Sequence, residues 1–175
     1  MSMALEGEYL GMPVHIDKTN REYFDFFSYC GKRELRLQQC ESCHLKRFPP
    51  TTACPFCAHP ESTWERLSGC GAVYSYGEVH HAIQPAFRAH TPYLLLLVEL
   101  DEQRNVPEEF DGLRVQGNLA TADGELAPPD LVRQVGIGSR VKVLFKTIGT
   151  DLAIPLWVVD DEVEQPDNPW RYPIE

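Results

Sequence analysis

The sequence predicts a mainly β protein in which an N-terminal helix and a small metal-binding ribbon precede a β-barrel. Two C-x-x-C pairs, Cys40–Cys43 and Cys54–Cys57, are separated by ten residues. Five later segments have the apolar pattern of β-strands, and a short helical pattern lies between the third and the fourth. The length of 175 residues fits one domain with a small appendage.

The composition is that of a globular protein whose charge is uneven along the chain. Hydrophobic residues make up 43% of the sequence, and the net charge is −10. Residues 19–66 carry seven Lys or Arg against six Asp or Glu, whereas residues 67–175 carry eight against seventeen. Because affinity for nucleic acid is built from Lys and Arg, this acidic half disfavours a general nucleic-acid binder.

The N-terminal sequence has neither a basic run nor a long apolar run. We therefore expect no signal peptide, no transmembrane span and a cytoplasmic location. In that reducing compartment cysteines stay as thiols, which favours metal binding over disulfides. We expect Cys30 and Cys70, which lie outside the two pairs, to be buried as small apolar side chains.

The two cysteine pairs have the spacing of a four-thiolate metal site. Each pair places two sulfurs in one tight turn, and two such turns facing each other form a tetrahedron. The predicted ligands of a closed, structural zinc site are Cys40, Cys43, Cys54 and Cys57. The spacing leaves two alternatives, which are iron on the same ligands and a pair of disulfides. His44 and His59 lie nearby, but four sulfurs already fill the shell.

Each knuckle, meaning a C-x-x-C turn with the residue that follows it, lacks its usual glycine. His44 and Ala58 stand where the chain is expected to turn with positive φ. Histidine tolerates that conformation moderately and alanine poorly, so we expect some distortion of one knuckle.

A helix with an aromatic face is predicted before the ribbon. Thr19 and Glu22 match a capping box, and Gly31 marks the end. Aromatic and apolar side chains recur between them at helical spacing. This face either packs on its own domain or docks on another protein or ligand. Residues 1–18 show no periodicity and are predicted to form an extended arm.

Strand patterns follow along the rest of the chain. Two short strands, at 34–39 and 62–67, flank the knuckles. The barrel strands are predicted at 70–83, 93–100, 113–119, 140–146 and 154–159, with a helix at 129–135. Five strands with one helix between the third and fourth describe an OB barrel. Gly77 predicts a bulge or bend in the first barrel strand.

The predicted domain organisation has four parts: an arm at 1–18, the helix and ribbon at 19–66, the barrel at 67–163, and a tail at 164–175. The tail contains three prolines together with Trp170 and Tyr172. We expect it to be loose or to dock on a partner through these two aromatic residues.

The sequence resembles the bacterial and archaeal OB-fold acyl-CoA-associated proteins known as domain of unknown function 35. The resemblance covers about residues 20–159. Its motifs are Tyr23–Phe27, Leu35–Cys40, Phe48–Pro50, Cys54–Cys57, Leu67–Tyr76, Val98–Leu100, Gly112–Val115 and Ile137–Val143. The missing knuckle glycines and a long acidic insertion at 101–111 depart from the family pattern.

The resemblance implies a rubredoxin-like zinc ribbon followed by an OB fold, and a function without catalytic residues of its own. It implies a non-catalytic accessory subunit that binds a thiolase-fold enzyme, such as a thiolase, a thiolase-like aldolase or a hydroxymethylglutaryl-CoA synthase. This subunit would help to bind or channel acyl-CoA thioesters within a hetero-oligomer.

Several basic residues are candidates for contact with coenzyme A. Arg88, in the loop before the second barrel strand, and Lys46 and Arg47, in the ribbon, are predicted to meet its phosphates. Lys32, Arg33 and Arg36 add to the basic side of the ribbon, which could instead bind an acidic face of a partner and is equally well explained as a solvated surface. The histidines His80, His81 and His90 form no recognisable catalytic set.

Two other functions stay open at this point. A single-stranded nucleic-acid-binding protein would use Tyr74 and Tyr76 as stacking platforms, although the acidic barrel half disfavours it. A rubredoxin-type electron carrier would hold iron instead of zinc.

Overall fold

The computed structural model describes residues 4–173 and confirms the mainly β fold class. The N-terminal part contains β1 (Ala4–Tyr9), β2 (Met12–Asp17), α1 (Arg21–Gly31), β3 (Arg36–Cys40), β4 (Lys46–Arg47) and β5 (Ser62–Arg66). The barrel strands are β6 (Cys70–Val79), β7 (Tyr93–Arg104), β8 (Gly112–Asn118), β9 (Arg140–Thr147) and β10 (Ala153–Val159). A 3₁₀ helix spans Pro85–His90, and α2 spans Pro129–Val132.

The chain divides into two compact units. The ribbon unit comprises residues 4–68, Glu102–Leu113 and Phe145–Pro155. The barrel unit comprises Gly69–Asp101, Arg114–Leu144 and residues 156–173. Within residues 4–173, no helix has the length and apolar character needed to cross a membrane.

The N-terminal segment is a β-hairpin, so the predicted extended arm is wrong. β1 pairs antiparallel with β2, with Leu5 opposite Ile16. Leu10 and Gly11 form a two-residue turn with positive φ at both positions, the geometry that matches the twist of paired strands. Gly7 contacts the turn after β9 so closely that a Cβ there would lie 2.4 Å from the Ile148 carbonyl oxygen.

The helix α1 is confirmed, but its predicted capping box is wrong. It begins after Asn20, whose side chain makes no capping hydrogen bond. The Thr19 N–H instead donates to the Asp17 carboxylate at 2.7 Å. The aromatic face packs on the ribbon: the buried Phe26 ring lies 5.5 Å from that of Phe48. Phe26 and Cys30 are therefore core of the ribbon unit, whereas the other aromatic side chains of α1 are half-buried.

The ribbon is a three-stranded sheet with β3 between β4 and β5. β3 pairs antiparallel with both neighbours, and Gln38 lies opposite Arg47 on one side and Trp64 on the other. The Trp64 ring lies 5.5 Å from the Tyr29 ring of α1. Cys40 ends the central strand, so the sheet itself positions the first metal-site sulfur.

The barrel sheet has the order β10-β9-β6-β7-β8. All five predicted barrel strands are present, and α2 lies between the third and fourth of them as predicted. α2 is shorter than predicted, and β7 extends four residues further, to Arg104. The bulge in β6 lies between Val73 and Ser75 instead of at Gly77.

The tail docks on the barrel unit, which corrects the prediction that it is loose; docking on a partner through the half-exposed Trp170 and Tyr172 stays a prediction. Trp170 and Ile137 exchange two backbone hydrogen bonds of 2.8 and 3.0 Å. Arg171 donates to the Glu78 carboxylate at 2.6 Å. A Cβ on Gly136 would lie 2.4 Å from the Trp170 carbonyl oxygen, so this docking requires glycine there.

The two cysteines outside the pairs differ in burial. Cys30 is fully buried in α1, as predicted, and burial raises the pKa of its thiol to about 12. Cys70 is only half-buried, which corrects the prediction of full burial.

Candidate metal centre

The fold brings the four predicted sulfur ligands together. All four Sγ atoms lie within 4.8 Å of one another, and the Cys40–Cys57 and Cys43–Cys54 sulfur pairs are each 3.6 Å apart. A regular tetrahedron with Zn–S bonds of ~2.3 Å has edges of ~3.8 Å. A disulfide would need about 2.05 Å. The sulfur–sulfur distances therefore fit four thiolates that bind one metal ion, and they are too long for disulfide bonds.

The two knuckles have the same backbone conformation. The His44 N–H donates to the Cys40 carbonyl at 3.0 Å, and the Ala58 N–H donates to the Cys54 carbonyl at 2.8 Å. His44 and Ala58 have φ values of 60° and 62°. Both residues thus occupy the left-handed region predicted for the usual glycine, and both turns close without one.

The two sulfurs of the first knuckle differ in acidity. Against the Leu45 backbone N–H, which lowers it, burial and the sulfurs of Cys54, Cys57 and Cys40 raise the pKa of the Cys43 thiol to about 12. The backbone N–H groups of Cys43 and Ser42 lower the pKa of Cys40 to about 6, against the opposing effect of burial. The Ser42 N–H lies 3.4 Å from the Cys40 sulfur. Because the thiolate is the form that binds metal, Cys40 is the sulfur of this knuckle that is ready to bind a cation at neutral pH.

The surroundings fit a closed structural site. Cys40 and Cys54 are buried, Cys43 is half-buried and Cys57 is exposed at the surface. His44 is exposed and His59 half-buried. Among residues 4–173, the group of side chains placed to hold one metal consists of the four cysteines. This donor set suits zinc, and iron on the same ligands remains an alternative.

Arg47 fixes the loop between the two knuckles, a function that the sequence analysis missed. Its side chain is only 3% exposed. It donates to the hydroxyl and carbonyl oxygens of Thr51 at 2.9 and 3.1 Å and to the Ser62 hydroxyl at 3.2 Å. Gln38 accepts from the Thr51 N–H at 2.8 Å. Arg47 is thus engaged inside the ribbon, and its predicted contact with coenzyme A stays a prediction.

The Gln103 side chain fastens the end of β7 to the ribbon. The Gln103 carboxamide accepts from the Lys46 N–H at 2.9 Å and donates to the Lys46 carbonyl at 3.0 Å. Gln103 is buried, and the two bonds copy those of a neighbouring strand. The acidic insertion that begins at Asp101 therefore has a fixed base. In the sequence, the sign of this contact is a single glutamine within a run of charged and polar residues.

The other basic candidates are dispersed. Arg88 is exposed on the 3₁₀ helix of the barrel unit, and Lys46 is half-buried in the ribbon unit. Lys32 and Arg36 both lie over the Tyr29 ring, at 5.5 and 5.1 Å from its centre. Arg36 also donates to the Glu34 carboxylate at 2.7 Å. Contact of Arg88, Lys46 and Arg47 with coenzyme A is untested by this geometry.

The candidate histidines lie after β6 and on the 3₁₀ helix. His80 and His81 are exposed after β6, and His80 lies 3.4 Å from the Glu78 carboxylate. His90 ends the 3₁₀ helix and is half-buried.

A cysteine ribbon followed by a five-stranded OB barrel defines a class of two-part β proteins, and comparison with known proteins places the chain within it. Residues 64–146 match the family model of the ChsH2 C-terminal OB-fold domain. A DUF35 domain-containing scaffold protein of Methanocaldococcus jannaschii is 32% identical over 114 residues, covering 65% of this chain and 68% of that protein. The chain belongs to the DUF35 family.

Two further relatives are informative. A probable enoyl-CoA hydratase alpha subunit of Thermomonospora curvata is 34% identical over 119 residues, or 63% of this chain. The match covers only 37% of that subunit's length. A solved chain titled "Ltp2-ChsH2(DUF35) aldolase" is 31% identical, with a TM-score of 0.62, and the match covers 80% of this chain and 95% of that one.

Proposed function

We propose that this chain is a non-catalytic accessory subunit that binds a thiolase-fold enzyme and helps to bind or channel acyl-CoA thioesters. The observation that carries the proposal is the similarity to a solved chain whose title joins ChsH2 to an aldolase. The match covers 95% of the length of that solved chain. The scaffold name of the archaeal relative and the subunit name of the Thermomonospora relative point in the same direction.

The metal centre supports this proposal because it would give the ribbon a rigid shape. The ribbon sheet has strands of only two and five residues. A sheet this small needs a further constraint to be stable, and a four-thiolate zinc supplies one. A rigid ribbon can present α1 and the knuckles to a partner without an ordering cost on binding.

Co-expression with thiolase-fold enzymes encoded beside this gene tests the proposal. We expect one of them to co-purify with this chain in a defined ratio, and its activity on an acyl-CoA substrate to fall when this chain is omitted. Cys54→Ser serves as a control with a damaged ribbon. A partner that works equally well alone, or no co-purifying enzyme, would refute the proposal.

The coenzyme A part of the proposal has a separate test. Calorimetric titration of the purified complex with acyl-CoA should show weaker binding for Arg88→Ala, through loss of a charge-assisted phosphate contact. Arg133→Ala is the matched control because Arg133 is also an exposed arginine of the barrel unit. Equal affinities for both variants would remove Arg88 from the proposed site.

The nucleic-acid alternative is disfavoured by the position of its stacking candidates. The Arg114 guanidinium lies 3.5 Å from the centre of the Tyr74 ring. The Tyr76 hydroxyl accepts from the Tyr172 N–H at 2.8 Å, and the two rings are 5.6 Å apart. Both platforms thus already have partners within the barrel unit.

A further inference from the structure

The loop between β7 and β8, residues 105–111, presents apolar side chains in an acidic setting. Phe110 is 79% exposed and Val106 41% exposed. The same seven residues include three carboxylates, those of Glu108, Glu109 and Asp111. A phenylalanine gains most of its binding free energy when a partner removes its ring from water. We call residues 105–111 the acidic tip.

The acidic tip has a defined conformation. Asn105 turns the chain with a φ of 53°, and the Asp111 N–H donates to the Glu108 carbonyl at 2.9 Å. The base of the tip is held by the two hydrogen bonds between Gln103 and the Lys46 backbone. These hydrogen bonds reduce the entropy that the tip would lose on binding, which suits it to a docking function.

We propose that the acidic tip is a docking element that inserts Phe110 into an apolar pocket rimmed by Lys and Arg on the partner enzyme. This inference rests on the proposed function and adds the chemistry of one contact. The three carboxylates of the tip favour a partner pocket surrounded by Lys and Arg, because acidic surfaces repel them. For the same reason a nucleic acid does not fit, and a second copy of this acidic chain is disfavoured.

The apolar part of the inference is tested by Phe110→Ala in the full chain, using surface plasmon resonance against the co-purifying enzyme. We expect the dissociation constant to rise about tenfold or more, mainly through faster dissociation. Ile83→Ala is the control, because Ile83 is 87% exposed and lies outside the tip; it should change binding by less than about twofold. Wild-type affinity for Phe110→Ala overturns the inference.

The charged part is tested by the triple variant Glu108→Gln, Glu109→Gln, Asp111→Asn. We expect slower association and a weaker dependence of the association rate on salt concentration. An unchanged association rate and salt dependence would contradict a basic rim.

The outcomes separate this inference from the proposed function. If the wild-type chain binds the enzyme and Phe110→Ala binds equally well, only the docking inference fails. If the wild-type chain binds no encoded enzyme, both fail. If sedimentation shows a homodimer that Phe110→Ala dissociates, the occupant is a second copy, and docking of the tip on an enzyme is overturned.

Discussion

The substitution Cys54→Ser removes one corner of the sulfur tetrahedron. Cys54 is 2% exposed, and its sulfur lies 3.6 Å from that of Cys43. A serine hydroxyl at this position does not ionise at neutral pH and is a poor ligand for zinc. We expect the variant to lose most of its metal and the ribbon to lose its fixed structure.

The magnitude follows from the free energy of zinc binding. Four-thiolate sites in zinc-finger peptides bind with apparent free energies of about 10–16 kcal/mol. A value of ~12 kcal/mol corresponds to a dissociation constant of ~1 nM, so ~1 μM free zinc stabilises the folded state by ~4 kcal/mol. Whole domains are stable by only about 5–15 kcal/mol. Losing this contribution should therefore unfold the ribbon locally.

The assay combines metal content with hydrogen exchange. Wild-type protein purified under reducing conditions should contain one metal ion per chain by elemental analysis, and the peptides covering residues 36–66 should exchange slowly. In Cys54→Ser the same peptides should exchange fast, including the knuckle amides of His44 and Ala58, which donate to cysteine carbonyls. Cys70→Ser, outside the tetrahedron, should keep both metal and protection.

The reasoning would be refuted if Cys54→Ser kept one ion per chain with a protected ribbon. It would also be refuted if reduced wild-type protein contained neither zinc nor iron while the ribbon stayed protected.

Three further predictions concern single side chains. Arg47→Lys loses the geometry of three part-buried hydrogen bonds to Thr51 and Ser62 and should lower the free energy of unfolding by about 2 kcal/mol in urea titrations. No change would contradict a structural function for this guanidinium. Gly136→Ala places a Cβ against the tail backbone, should release the tail at a cost of about 1–3 kcal/mol, and should red-shift tryptophan emission. Gly77→Ala is the control that should leave emission unchanged, because a Cβ added at Gly77 would have no neighbouring atom within 4 Å. The hydrogen bond from Arg36 lowers the pKa of the Glu34 carboxyl, so its stabilising effect is present above the unfolded pKa of ~4.3 and is lost as pH falls further. The difference in unfolding free energy between wild type and Glu34→Gln should shrink from pH 6 to pH 3, and a pH-independent difference would contradict the ion pair.

Patterns carried by neighbouring residues were predicted well from the sequence. The spacing of the cysteine pairs depends on short turns, and the structure brings those sulfurs together. The strands of the barrel were predicted because alternation follows directly from the two faces of a sheet. The aromatic helix was predicted because apolar side chains recurred at its period.

Features that depend on distant residues were missed. The N-terminal hairpin, although local, was missed too, because its turn pairs Gly11 with Leu10, an unusual residue for positive φ, instead of with Asn or Asp. The bulge lies at Tyr74, where Arg114 from another strand covers the ring, whereas only Gly77 looked irregular in the sequence. The docking of the tail depends on Gly136, more than thirty residues away.

The acidic tip lies between the ends of two strands, β7 and β8, and Gln103 fastens the first of those ends. Its sequence and length can therefore vary from one homologue to another while the hydrophobic interior stays the same. If the tip docks as proposed, exchanging these seven residues would change which enzyme the scaffold binds without altering its interior.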